Sequence, residues 1–135
     1  MVLFIDANVL IAFANASDVH HARAVRIVEK IHDGDFGEGI TTDYIFDEVV
    51  SVLMRKLNKK ESVVFGQHML DSEITFLPID SFVFDEAWNS FKKYDLLSFT
   101  DSSSLAFMQL YGIRKIATFD KAFQKIVGIE VVDTL

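Results

Sequence analysis

A chain of 135 residues is close to the commonest single-domain size and is long enough to bury a core without staples. Half of it is hydrophobic, with 13 Phe against one Pro, which excludes a disordered chain; the lack of cysteine excludes disulfides, thiolate nucleophiles and Cys-based zinc sites. A formal charge of −7 argues against a basic protein that coats nucleic acid, but not against an enzyme that grips a phosphodiester through bound cations.

No stretch reaches the roughly 18 uninterrupted apolar residues of a membrane span, and the N-terminus lacks the basic segment of a signal peptide. The expectation is a soluble, cytoplasmic chain with no membrane partner.

In chain order, Val2–Ile5 is an apolar run of the kind found in strands buried on both faces, and it stops at Asp6. Val9–Ala14 reads as one or two helical turns, and Asn15 to Asp18 as a polar break. Ser17 or Asp18 is placed to cap a helix through Ala22, Val25, Ile27, Val28 and Ile31. A glycine-rich loop from Asp33 to Gly39 ends that helix, and a very short strand follows at Ile40–Thr41.

Thr42 or Asp43 opens a strongly periodic helix to about Leu57, with Ile45, Val49 and Val52 beside a second stripe of Phe46, Val50 and Leu53. Asn58 and the pair Lys59-Lys60 interrupt the pattern before a helix over Glu61 to Leu70. Glu73–Pro78 reads as a strand terminated by its proline. Asp80 or Ser81 caps a helix from about Phe82 to Tyr94. After the connector Leu96–Thr100, Asp101–Leu110 is helical, with Gly112 as its stop. Lys115–Thr118 is a strand, Lys121–Ile126 a short helix, and Ile129–Val132 the last strand. Strands alternating with helices, without linker or repeat, predict one α/β domain over residues 1–135 with a largely parallel sheet of four or five strands flanked by helices.

Four of the twenty acidic residues stand out by position. Asp6 and Asp120 follow strands, Asp101 lies at a helix start, and Glu48 lies inside a helix. Strand ends and a helix start converge naturally on one rim of a parallel sheet, where α/β proteins bind ligands. Each has an ordinary explanation beside it. Asp6 and Asp120 can cap the helices that follow them, and Ser98 with Asp101 has the spacing of a capping box. Glu48 is harder to explain away, because it sits at the margin of an apolar stripe with no basic residue one turn away. Clustered carboxylates raise one another's pKa unless a divalent cation binds them, and oxygen ligands without thiolates or clustered imidazoles suit Mg²⁺ or Mn²⁺.

Four stretches carry a family likeness: Phe4-Ile-Asp-Ala-Asn-Val-Leu-Ile11, Thr41-Thr-Asp-Tyr-Ile-Phe-Asp-Glu-Val49, Leu97-Ser-Phe-Thr-Asp-Ser-Ser-Ser-Leu-Ala106 and Ile116-Ala-Thr-Phe-Asp-Lys-Ala-Phe123. In this order they resemble the PIN-domain ribonucleases, in particular the small VapC-like toxins of toxin–antitoxin pairs. The resemblance implies a PIN-like fold and a metal-dependent endoribonuclease. It carries the metal-binding, catalytic acids onto Asp6, Glu48, Asp101 and Asp120, with Asn8 and Thr118 as supporting polar residues. It further implies an RNA substrate, Mg²⁺ or Mn²⁺, a homodimer and a cognate antitoxin. Two departures stand out: Ser102 replaces a small apolar residue, and Lys121-Ala122 follow Asp120 where many relatives carry a further acid.

The rivals are a catalytically weak PIN-like module that binds protein or RNA, and an aspartate-dependent phosphohydrolase. The dehalogenase-type pattern wants a second Asp where this chain has Asn8, and a receiver domain wants a phosphoacceptor that the Glu73–Pro78 strand does not supply. His20 and His21 read as loop or helix-start residues. Phe65, Phe82, Phe84 and Phe91 read as core filling ahead of an interaction surface. Arg55-Lys56, Lys59-Lys60 and Lys92-Lys93 are candidate phosphate contacts or simply solvated surface.

Overall fold

Strand β1 (Val2–Ile5) is the spine of the molecule, with Leu3, Phe4 and Ile5 wholly buried, as a strand covered on both faces requires. The structure is a computed structural model and describes residues 1–133. Four further strands join β1: β2 (Glu38–Thr42), β3 (Thr75–Leu77), β4 (Lys115–Ala117) and β5 (Glu130–Val132). They lie in the order β3-β2-β1-β4-β5, and every neighbouring pair is parallel. The α/β class and the parallel sheet are as expected, with five strands.

Six α-helices make the crossovers: α1 (Ala7–Ala14), α2 (His21–His32), α3 (Asp43–Lys56), α4 (Lys59–Asp71), α5 (Ser81–Lys93) and α6 (Phe99–Tyr111). A 3₁₀ turn at Lys121–Lys125 links β4 to β5. Helix α1 packs on α2 and α3, α3 on α4, and α5 on α6. None of these helices is long and apolar enough to cross a membrane.

The chain leaves β1 toward β2 and β3 on one side, then returns to β4 on the other. The crevice beyond the carboxyl ends of β1 and β4 is therefore the switch point of the sheet, where open α/β proteins place their ligands.

Several boundaries differ from the sequence expectation, each for a local reason. Helix α1 begins at Ala7, because Asp6 caps it directly. Helix α6 begins at Phe99 under a Ser98 cap, which absorbs part of the expected connector. Lys59 and Lys60 open α4 instead of interrupting it, because Asn58 caps Glu61 through a 2.8 Å bond. Neither Ser17 nor Asp18 caps α2. The Asp18 carboxylate accepts the His20 amide at 2.8 Å in a turn, and α2 starts at His21 without a side-chain cap. The Lys121–Lys125 segment is 3₁₀ rather than α, held at its start by Asp120.

Strand β2 is longer than expected because the β1 ladder extends back to Glu38. Two glycines make room for it. Gly37 takes φ +74°, with a hypothetical Cβ only 2.0 Å from the Met1 carbonyl oxygen; one at Gly39 would meet Ile5 Cδ1 at 3.1 Å.

Candidate functional site

The register that sets Ile5 opposite Ala117 brings the next residues, Asp6 and Thr118, side by side at the rim. The Asp6 amide continues the ladder to the Ala117 carbonyl at 3.0 Å. Asp6 is only 4% exposed, yet both carboxylate oxygens are satisfied: Oδ1 accepts the Ala7 amide at 2.8 Å and Oδ2 accepts the Thr118 hydroxyl at 2.7 Å. Asn8 stitches the same seam. Its Nδ2 donates to Thr118 Oγ1 at 3.1 Å and its Oδ1 accepts the Phe119 amide at 3.1 Å. The Thr118 hydroxyl oxygen also accepts the Asp120 amide at 3.1 Å, so one side chain ties the ends of β1 and β4 together.

Two helices bring the remaining acids. The hydroxyl of Thr41 donates to the Ile5 carbonyl at 2.8 Å, and Thr42 caps α3, so α3 starts at the rim and carries Glu48 on its second turn. The N-terminus of α6 delivers Asp101 through a capping box: its amide donates to Ser98 Oγ at 3.0 Å, and its Oδ2 accepts the Ser98 amide at 3.1 Å.

Asp6, Asn8, Glu48, Ser98, Asp101 and Asp120, with Ala7 and Ile11, line one cleft of about 220 Å³. All four acids singled out in the sequence meet here, and the capping readings hold as well. Asp6, Asp101 and Asp120 each spend an oxygen on a backbone amide and still face the cleft. Thr118 lies behind Asp6, as its support. A roomier groove of about 410 Å³ runs between α3 and α4, but Phe46, Val50, Met54, Val63 and Leu70 make its lining chiefly apolar.

Among the described residues, no cationic side chain lines the acidic cleft, and its electrostatics show the consequence. Burial pushes the Asp6 carboxyl from 3.8 up to about 7. Asp101 and Glu48 add repulsion, and the bonds from Thr118 and Ala7 pull part of the way back. Glu48 is raised by burial and by Asp101 and Asp47. Asp101 is raised by burial and by Asp120, against the pull of Ser98. Among the described residues, no three acidic or imidazole groups stand together as a closed set of metal ligands. The donors are oxygens only, without thiolate or imidazole, which is the chemistry of Mg²⁺ and Mn²⁺.

The other residues singled out in the sequence fall outside the cleft. The His21 ring meets the Ala12 carbonyl through Nδ1 at 2.7 Å, a packing role, and His20 stacks on Phe119 at 4.6 Å. None of the three basic pairs lines the cleft. Core filling holds in part for Phe65, which packs on Phe13, and fails elsewhere: Phe82 is 65% exposed, Phe84 45% and Phe91 38%. All three lie on α5, where Phe84 and Phe91 form an aromatic surface with Trp88 and Phe99. Phe119 and Arg23 drew no notice in the sequence, because only the fold brings α2 against the end of β4.

Comparison with known proteins bears on the family and the fold. The sequence profile of the PIN domain matches residues 3–129. The 23S rRNA-specific endonuclease VapC20 of Mycobacterium tuberculosis is 24% identical over 131 residues, covering 96% of this chain and 97% of that protein. Ribonuclease VapC13 of the same species is 25% identical over 132 residues, covering 95% and 97%. In three dimensions the chain is similar to M. tuberculosis VapC20, described as a Sarcin-Ricin loop cleaving toxin, with a TM-score of 0.80, 21% identity and coverage of 94% and 98%. It is also similar to a chain of DNA-bound VapBC from Salmonella typhimurium, with a TM-score of 0.74, 13% identity and coverage of 98% of both chains.

Proposed function

Because this chain belongs to the PIN-domain family, we propose that it is a metal-dependent endoribonuclease of the VapC type, the toxin of a toxin–antitoxin pair. The observation that carries the reading is the meeting of Asp6, Glu48, Asp101 and Asp120 in a cleft that, among the described residues, no cationic side chain lines. Three of these carboxyls are held above or pushed from their ordinary range by burial and by one another, a cost that a divalent cation would relieve. A mere binding module has no use for such a cluster.

In this reading, Asp6, Glu48, Asp101 and Asp120 hold Mg²⁺ or Mn²⁺. When bound, the ion supplies positive charge for the phosphodiester and lowers the pKa of a water toward neutrality. The protein's own part is orientation. Thr118 and the Ala7 amide fix both oxygens of Asp6, Asn8 braces Thr118, and Ser98 aims Asp101. Their bonds favour ionised acids against the effect of burial.

The RNA substrate is supported by the names of the relatives, and a protein partner by the similarity to a VapBC chain and to a toxin–antitoxin complex from Klebsiella pneumoniae. A cognate antitoxin and a homodimer belong to the same proposal. The exposed aromatic residues of α5 are compatible with such contacts.

The test is incubation of purified protein with single-stranded RNA in Mg²⁺ or Mn²⁺, in EDTA, and with Asp6→Asn in its place. Cuts that require the metal and disappear in the variant are expected. Cleavage in EDTA, or equal cleavage by the variant, would overturn the mechanism.

A further inference from the structure

Arg23 is a partly buried cation packed on Phe119, and among the described residues no carboxylate lies within ion-pairing distance of it. Its guanidinium lies 4.7 Å from the centre of the Phe119 ring. One nitrogen donates to the Asp133 carbonyl oxygen at 3.2 Å, and another donates to His20 Nδ1. His20 itself stacks on Phe119. The nearby Asp18 carboxylate takes the His20 amide and forms no ion pair with Arg23.

Among the described residues, these contacts hold the guanidinium through neutral groups only. They fix its position without neutralising its charge, and two acceptors leave further N–H donors free for an anion. Phe119 is the residue between Thr118 and Asp120, and its amide is bonded to Asn8 of the cleft. Arg23 is therefore packed on the segment that carries Thr118 and Asp120, two of the groups of the site. The basic pairs at the ends of α3 and α5 have no such connection to the cleft.

On the RNA-cleaving reading of the cleft, we infer that Arg23 seats a backbone phosphate of the RNA strand next to the scissile bond, with Phe119 and His20 holding it in place. A cluster of carboxylates repels a polyanion on either side of the one phosphodiester being cut. A fixed guanidinium there offsets the repulsion and gives the strand a direction along the cleft. The contact is to backbone, so it carries no base preference.

The test compares wild type, Arg23→Gln and Arg23→Lys with a short fluorescein-labelled single-stranded RNA in Mg²⁺. Binding is read over a range of salt in the cleavage-deficient Asp101→Asn background, and KM, kcat and Mg²⁺ affinity in the Asp101 protein. Melting curves confirm that each variant is folded. For Arg23→Gln, the slope of log affinity against log salt is expected to fall by about 0.7, the value for one phosphate contact on a single strand. Its KM should rise about threefold to tenfold, with a smaller change in kcat and unaltered Mg²⁺ affinity. Arg23→Lys should recover most of the slope. An unchanged slope in Arg23→Gln overturns the inference, and so does a loss confined to kcat and Mg²⁺ affinity, which is the signature of a residue that only positions Asp120. Metal-dependent cleavage by wild type separates these results from failure of the nuclease reading. If wild type neither binds nor cuts RNA, both fall together.

Discussion

The hydroxyl of Thr118 donates a 2.7 Å hydrogen bond to Oδ2 of Asp6 across the seam between the two central strands. Residues 112 positions apart are thereby made into one unit, since Thr118 also accepts from Asn8 and from the Asp120 amide. The bond favours the ionised form of a carboxyl that burial would otherwise keep protonated.

Replacing Thr118 by Val keeps the shape and removes the donor. A charge-assisted hydrogen bond of this kind contributes about 1.5–3 kcal/mol, which corresponds to a rise of about one to two units in the Asp6 pKa. The metal-dependent cleavage rate of Thr118→Val is expected to need a correspondingly higher pH, with roughly tenfold lower activity at pH 7. A pH–rate profile superimposable on wild type would show that the bond does not set the state of Asp6.

The same carboxyl makes a statement about stability. Its folded pKa of about 7 lies above the ordinary 3.8, so between those values the folded chain binds more protons than the unfolded one. Stability from this group is fully present below about pH 3.8 and is lost as pH rises through about 7. Asp6→Asn keeps the Oδ1 acceptor for Ala7 and abolishes the titration. In EDTA the variant is expected to melt several degrees above wild type at pH 8, with the gap closing toward pH 4. Melting curves across that range, with and without Mg²⁺, check both signs: the ion should stabilise wild type at pH 8 and leave the variant unmoved.

Ser98→Ala breaks the capping box of α6. Loss of the cap is expected to lower stability by about 1 kcal/mol, read by urea denaturation. It also removes the side-chain bond that draws the Asp101 pKa down, so half-maximal activity should need a higher Mg²⁺ concentration. A variant that loses stability but keeps its Mg²⁺ dependence would separate the cap from the site.

Past Asp101, α6 buries Ser102, Ser103 and Ser104. Ser103 donates to the Thr100 carbonyl at 2.6 Å, whereas the hydroxyls of Ser102 and Ser104 have no hydrogen-bond partner among the described residues. Ser104→Ala is therefore expected to stabilise the protein by up to about 1–2 kcal/mol, by removing a buried unpaired hydroxyl and improving helix propensity. Urea denaturation again decides, and a loss of stability would mean that the hydroxyl is satisfied in solution.

Much of this was legible in the sequence, for identifiable reasons. An apolar run ending in Asp6 marks a buried strand, and Glu48 on the edge of an apolar stripe marks a carboxylate that the fold must accommodate. Ser98 and Asp101 advertise a capping box three residues apart. Local patterns of this kind survive because they depend on neighbours in the chain. The start of α2 was misplaced because the Asp18 carboxylate serves a turn instead of a helix cap. The exposure of Phe82, Phe84 and Phe91 was missed because an amphipathic pattern does not say how much of a face the rest of the fold covers. Arg23 over Phe119, and Thr118 against Asp6, arise only when distant segments meet, and no spacing announces them.

The central claim is that the four acids form a divalent-cation site, and calorimetric titration of Mn²⁺ into metal-free protein near pH 6.5 tests it most directly. Saturable binding is expected. Because Asp6 is largely protonated there, binding should release a substantial fraction of a proton, seen as a dependence of the heat on the buffer's ionisation enthalpy. Both the binding and the proton release should vanish or weaken severely in Asp6→Asn. Absence of binding in wild type, or equal binding in the variant, would contradict the claim.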